Sequence, residues 1–177
     1  MAGPDRVLVG QLIDAACEDH EKARRLLSQH PDLLQARWVH GETALHFLAI
    51  ENYAQGVRFL AENGADVNAP DDFGDAPLID VATLGNDAVA EVLLAFGADP
   101  NATSETRDNV LHCAVRSGSS RLVRLLLRAG AHPSYLTDAE ETVFDALPED
   151  PERRIEIIAI SDEFGARRRE SDQNIDD

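Results

Sequence analysis

Apolar residues in this chain recur in short runs separated by a constant interval of 33 residues. The runs lie in register at Phe59-Leu60, Val92-Leu93 and Leu125-Leu126, and four residues after each run the chain reads Gly-Ala. The apolar spacing is that of a helix buried on one side, and glycine is the residue type that most readily ends a helix. A shorter apolar segment precedes each run. The pattern therefore predicts pairs of helices repeated at a fixed period, which is typical of a stacked array.

The repeated units begin and end on matching motifs. Gly41-Glu42-Thr43-Ala44-Leu45-His46 opens the first clear unit, and Gly64-Ala65-Asp66-Val67-Asn68 closes it. These segments resemble the ankyrin repeat, which starts G-x-T-P-L-H and ends G-A-D-x-N. The next two units depart from the pattern at Ile79 (for histidine), Arg107 (for glycine) and Val110 (for proline). The resemblance implies an all-α solenoid of stacked helix-turn-helix units. Its concave face would be lined by β-hairpin-like fingers and by the first helix of each unit.

The period also divides the chain into segments. Terminal units of a solenoid diverge from the internal ones because one of their sides meets solvent. A last helix is expected around residues 152–160, with its isoleucines 155, 157, 158 and 160 closing the core. The predicted segments are a leader (1–10), a divergent N-terminal cap repeat (11–37), repeats at 38–70, 71–103 and 104–136, a divergent C-terminal cap repeat (137–161) and a charged, flexible tail (162–177).

The composition fits one domain with a sizeable core, since hydrophobic residues make up 44% of the 177 positions. Neither a signal peptide nor a membrane-spanning apolar run is present. Cys17 and Cys113 lack the spacing of a metal or redox motif, which suits a reducing compartment. The sequence thus predicts a cytoplasmic protein without a membrane role, and a monomer is favoured.

The charge restricts the class of partner. The formal net charge is −17, and residues 38–103 contain eleven acidic side chains against one basic side chain. A surface that binds nucleic acid needs clustered lysine and arginine, so this charge argues against a nucleic-acid partner. It favours attraction to a protein with a basic or mixed patch. Arg121, Arg124 and Arg128 form a stripe at helical spacing, which is expected to pair with nearby acids.

No catalytic, cofactor-binding or metal-binding constellation emerges from the residues. His46 and His112 occupy the same repeat position, so they are either a pair of ligands or a scaffold feature that hydrogen-bonds the adjacent turn. Recurrence at the repeat period favours the scaffold interpretation, because buried polar groups are nearly always satisfied. Cys113 directly follows His112, but neighbours in a helix point about 100° apart and do not form a nucleophile–base pair. We therefore expect no enzyme activity, no cofactor and no metal.

The positions that the repeat scaffold leaves free are the candidate protein-binding residues. By resemblance they lie on the fingers and on the exposed side of each first helix. Trp38 and Phe73 would be apolar anchors within an acidic rim, although Trp38 has the alternative of covering the junction with the N-terminal cap. An acidic residue recurs at Glu42, Asp75, Asp108 and Glu141. The full candidate set is Trp38, His40, Glu42, Ile50, Glu51, Asp72, Phe73, Asp75, Thr83, Leu84, Glu105, Asp108 and Arg116.

The function predicted from these features is non-catalytic protein–protein interaction through an acidic, partly apolar concave surface. An inhibitor or immunity-type protein that occludes a basic enzyme or toxin is the alternative. An enzyme or a metal-dependent protein is a remote third possibility. Fold resemblance alone does not decide among them.

Overall fold

The computed structural model describes residues 6–104, 108–133 and 142–165. Within these ranges the chain folds into nine α-helices, and the only β-type pairing is an isolated bridge between Thr103 and Asn109. Two short 3₁₀ segments, Pro31–Gln35 and Val39–Gly41, follow the second helix. The helices are α1 Arg6–Glu18, α2 His20–Gln29, α3 Ala44–Ile50, α4 Ala54–Glu62, α5 Pro77–Leu84, α6 Asp87–Ala95, α7 Val110–Ser117, α8 Ser120–Arg128 and α9 Pro151–Glu163.

The helices form two layers. The first helices α1, α3, α5 and α7 lie side by side in an inner layer, and α4, α6 and α8 stack in the outer layer, each packed on its own partner. Leucines at the same repeat position fill the space between the layers, and Leu45, Leu78 and Leu111 are at most 1% exposed. The all-α solenoid implied by the resemblance is confirmed.

Local sequence explains where the inner helices begin and end. Thr43 caps α3 through a capping box in which the Thr43 side chain accepts from the His46 N–H and the His46 ring accepts from the Thr43 N–H. Asn109 caps α7 in the same way, by accepting from the His112 N–H. In the middle unit Ala76 offers no side-chain cap, and α5 instead starts with Pro77, which suits the first turn of a helix.

Each finger is the segment that precedes a first helix (α3, α5 or α7). The three fingers form the same backbone hydrogen bond at the 33-residue interval. It runs from Trp38 N to Glu42 O (2.7 Å), from Asp71 N to Asp75 O (3.0 Å) and from Ser104 N to Asp108 O (3.0 Å). Gly41 has a φ of 76°, and a Cβ there would lie 2.6 Å from the backbone nitrogen of Asp72 in the next finger. Only glycine satisfies both constraints at position 41.

Asparagine side chains tie neighbouring units together. Asn68 donates to the carbonyl of Gly97 (2.9 Å) and accepts from the N–H of Asp99 (2.8 Å). Asn101 repeats the arrangement one unit later, donating to Gly130 O (3.1 Å) and accepting from His132 N (2.9 Å). The asparagine that ends the repeat motif thus satisfies backbone groups of the next return loop.

The N-terminal end of the array differs from the expectation. α1 begins at Arg6 rather than at Gln11, so residues 6–10 are helical and not part of a leader. The reason is that Val9 starts the buried series that continues through Leu12, Ile13 and Ala16 at helical spacing.

The C-terminal end departs in two ways. Residues 143–146 form a turn where the internal units have a first helix, although Val143 and Phe144 remain buried. α9 extends to Glu163, past the predicted end at 160, and Ile155 is 68% exposed instead of closing the core, whereas Ile157 and Ile160 are buried. Most of the tail, residues 166–177, lies outside the described residues.

Replacing Asn68 by alanine removes two hydrogen bonds between units and leaves the Asp99 N–H without its protein partner. We expect the free energy of unfolding to fall by about 1–3 kcal/mol. Urea denaturation of Asn68→Ala beside Gln55→Ala, which alters an exposed position of α4, measures the difference. Equal midpoints for the two variants would contradict this role for Asn68.

Candidate functional site

The 33-residue period places side chains of the first helices in rows across one surface, here called the inner face. It comprises the solvent side of the inner layer together with the adjoining fingers. Positions three and four apart share a side of a helix, and the period carries each position to the same place on the next helix. The three rows are Asp14–Phe47–Asp80–Cys113, Cys17–Ile50–Thr83–Arg116 and Glu18–Glu51–Leu84–Ser117.

The two predicted aromatic anchors differ in exposure. Trp38 is half-buried, and its ring centroid lies 5.5 Å from that of Phe47 on α3, so it packs onto the inner layer. Phe73 is 57% exposed on the second finger, where its ring lies 5.8 Å from the ring of His40. Phe73 is therefore the more exposed aromatic side chain of the pair, and Trp38 packs against α3 of its own unit.

The remaining candidates divide by exposure and by partner. Leu84 is 54% exposed, whereas Ile50 is half-buried. The Thr83 hydroxyl donates to the carbonyl of Ile79 (3.0 Å). Arg116 forms an ion pair with Asp108 (2.8 Å), so these two charges offset each other. Glu105 and Glu141 lie outside the described residues.

Two residues of this surface, Tyr53 and Asp80, escaped the sequence analysis. Tyr53 is 52% exposed, and Val39, a free position of the first unit, is 39% exposed, which adds to the exposed apolar area of the inner face. Asp80 stands on α5 where the neighbouring units have Phe47 and Cys113. The signal for Asp80 and Tyr53 was a departure from the column of equivalent positions, since Tyr53 aligns with Asn86 and Ser119. Local motifs do not reveal such a departure.

Carboxylates of the first two units lie close enough to repel one another electrostatically. Burial, followed by the neighbouring Asp75, Asp71 and Glu42 charges, raises the pKa of Asp80 to about 7. Burial also raises the pKa of Glu42, and the charge of Asp71 adds to the effect, while His40 opposes it. A partner cation near Asp80 and Glu42 would offset the repulsion that contributes to both raised pKa values.

The histidines and Cys113 are used by the scaffold. His46 Nε2 lies 3.3 Å from the carbonyl of Asp75, so the ring bridges α3 to the next finger, and burial lowers its pKa. His112 Nδ1 lies 2.7 Å from Asn109 Oδ1. The Cys113 thiol is buried, which raises its pKa and keeps it protonated. Within the described ranges, no three histidine, cysteine or acidic side chains gather as metal ligands.

Two of the three arginines in the α8 stripe pair with acids, as the sequence analysis expected. Arg121 contacts Asp87 (3.2 Å) and Glu91 (3.3 Å) on α6, and Arg124 contacts Glu163 (2.8 Å) on α9. Exposed pairs of this kind contribute about 0–1 kcal/mol each. The stripe therefore links outer-layer helices and is not a free basic patch at these two positions.

Comparison with known families gives the class of the protein. A model of ankyrin repeats in three copies matches residues 68–137, and a model of ankyrin repeats in many copies matches residues 33–80. Together they span more than half of the 177-residue chain. The chain belongs to the ankyrin repeat family. Ankyrin repeats are generally protein–protein interaction modules, and the family is typically non-catalytic.

One similar protein is a plant kinase. The serine/threonine-protein kinase VIK of Arabidopsis thaliana is 35% identical over 75 residues, which cover 42% of this chain and 17% of the kinase. The similarity thus concerns a small part of the kinase. Separately, none of the helices in the described ranges has the length and apolarity needed to cross a lipid bilayer.

The raised pKa of Asp80 predicts how stability changes with pH. Because the folded-state pKa of about 7 lies above the ordinary value of 3.8, the folded state holds the proton more tightly than the unfolded state. Stability attributable to Asp80 is therefore greatest below pH 4 and is lost as pH rises through 7. Asp80→Asn should raise the free energy of unfolding at pH 8 by about 1–2 kcal/mol, a figure reduced for partial solvent screening.

Urea titrations at pH 4 and pH 8 test this expectation, with Asp72→Asn as the control because Asp72 is exposed on the finger tip. The gain should be present at pH 8 and small at pH 4. A gain of the same size at both pH values would mean that ionisation of Asp80 is not its cause.

Proposed function

We propose that this chain is a non-catalytic binding module whose inner face docks a partner protein carrying a basic or mixed patch. The observation that carries the proposal is the position of four of the six large apolar side chains that are exposed in the described ranges. Phe73, Leu84, Tyr53 and Val39, each between 39% and 57% exposed, all lie on the fingers or at the first helices and their following turns. Apolar anchors within a polar rim are what a protein interface requires.

The carboxylates supply selectivity. Glu51 and Asp72 are exposed on the inner face, and Asp80 is held among Asp71, Asp75 and Glu42. A basic partner is attracted to this concentration of negative charge from a distance, and an acidic partner is repelled. The third unit contributes less charge, because Asp108 is offset by Arg116. The proposed basic patch of the partner therefore faces the first two units.

The absence of catalysis belongs to the same proposal. Two of the groups that could serve as base or nucleophile are engaged by the scaffold, since His46 bridges two units and Cys113 is buried. Kinase activity is not proposed, because the similarity to VIK covers 17% of that protein. Cys17 and Cys113 are free thiols, which supports a cytoplasmic location for the module.

Removing the exposed apolar anchors should weaken partner binding. Once a partner has been captured from an extract of the native organism, its affinity is measured by calorimetry for wild type and for Phe73→Ala/Leu84→Ala. The double variant should bind at least about tenfold more weakly, since two truncated anchors cost roughly 1–2 kcal/mol each.

Ile155→Ala is the matched control, because Ile155 is 68% exposed on α9, which packs against α8 of the outer layer. Equal losses for the control and the double variant would contradict docking on the inner face. If the partner is an enzyme that loses activity in the complex, the module acts as an inhibitor, which is the occluding role considered above.

Charge on the inner face should accelerate association. Asp72→Asn removes one exposed charge from the second finger, and we expect an association rate about two- to threefold lower at low salt, with the difference shrinking at high salt. Stopped-flow mixing with the captured partner measures it. Asp32→Asn, an exposed change in the segment that follows α2, should leave the rate unaltered. An association rate for Asp72→Asn equal to that of the wild type at low salt would exclude steering by this charge.

A further inference from the structure

A cavity of about 260 Å³ opens on the inner face between α1 and α3. Its floor is apolar: Ile13 is 6% exposed, Leu48 is fully buried, and Phe47 is half-buried. Tyr53 stands at the edge, 52% exposed. α1 packs against both α3 and α4, and Tyr53 lies in the turn between those two helices.

The rim of the cavity is acidic. Asp14 and Glu18 on α1 and Glu51 after α3 line the cavity, and all three are exposed. No ion pair in the described part of the chain involves any of them. The nearby Cys17 thiol responds to this field, since burial, then the charges of Asp14 and Glu18, raise its pKa. An apolar floor thus lies beneath a rim of carboxylates without a counter-charge.

The shape and chemistry of the cavity restrict what can occupy it. Its volume lies below the roughly 300–1,000 Å³ of typical small-molecule sites, so it suits a single side chain. A wholly apolar side chain would desolvate the carboxylates without compensating them, and an acidic one would be repelled. Lysine and arginine combine an apolar stem with a charged head, which matches floor and rim together. The faces of Phe47 and Tyr53 would also favour a cation.

We propose that this cavity receives a lysine or arginine side chain of the partner protein. The inference rests on the proposed function, and it specifies where on the inner face the partner's cation lies. The rim residue Glu51 is in register with Leu84 of the next unit. Packed helices lie about 8–10 Å apart. The partner should therefore present a basic side chain and an apolar side chain separated by about that distance.

The cavity can be tested without the partner. Nα-acetyl-arginine amide and Nα-acetyl-lysine amide are titrated into isotope-labelled protein at 150 mM NaCl, and NMR shifts of backbone and carboxylate signals are followed. We expect saturable shifts centred on Asp14, Glu18 and Glu51. Nα-acetyl-citrulline amide, the uncharged analogue of the arginine probe, should bind at least about fivefold more weakly because it lacks the charge. Equal binding of citrulline, shifts spread evenly over all acidic residues, or no saturable shift would each overturn the proposal.

Variants distinguish binding at the acidic rim from attraction to the negative charge of the whole chain. Glu18→Gln/Glu51→Gln should reduce affinity for the arginine probe at least about fivefold, whereas Glu62→Gln, an exposed change at the end of α4, should leave it unchanged. Spermidine serves as a second probe. Tighter saturable binding of spermidine at the same residues would assign the cavity to a free polyamine and would overturn the proposal that a protein side chain occupies it.

Failure of the cavity assignment can be distinguished from failure of the proposed function. If Phe73→Ala/Leu84→Ala weakens partner binding but the arginine probe does not bind, the inner face docks the partner and the assignment of the cavity is wrong. If the probe binds as expected but the partner is unaffected by the anchor variant, the proposed docking surface fails while the cavity remains a cation site.

Discussion

The structure depends on one packing constraint: a single helix pair of this array cannot bury its own apolar face. The internal first helices α3 and α5 therefore contact first helices on both sides, and the leucines at positions 45, 78 and 111 are inaccessible in the stacked array. Side chains that bridge units, such as Asn68 and His46, hydrogen-bond backbone groups of the neighbouring unit.

The same constraint determines which surface is free to acquire a function. Stacking uses the sides of every helix and the space between the layers, and it leaves the solvent side of the inner layer and the fingers unconstrained. Apolar side chains at Phe73 and Leu84 and carboxylates at Asp80 and Glu51 all stand at such positions. The carboxylates around Asp80 also oppose folding at neutral pH, because burial and these neighbouring charges disfavour the ionised form of Asp80. A cationic partner on the proposed docking surface would reduce that cost.

The 33-residue period predicted a stacked array, because stacked helix pairs must bury apolar side chains at that same interval. The buried leucines, the helix caps at Thr43 and Asn109 and the scaffold use of His46 follow directly from repeat positions. The ends were less predictable, since α1 begins at Arg6 through a burial series that the internal units lack. Trp38 packs on Phe47, a contact between a finger and a helix that spacing does not encode. Asp80 and Tyr53 depart from the residues at equivalent repeat positions, a signal that local motifs do not reveal.

The central claim is that the inner face, and not the outer layer, binds the partner. Hydrogen–deuterium exchange of the protein with and without its captured partner tests this claim most directly, because backbone amides report on each element separately. The account predicts slower exchange in the fingers around residues 38–42 and 71–75 and at the ends of α3 and α5, with α4, α6 and α8 unchanged. Protection confined to α4, α6 and α8 would contradict it.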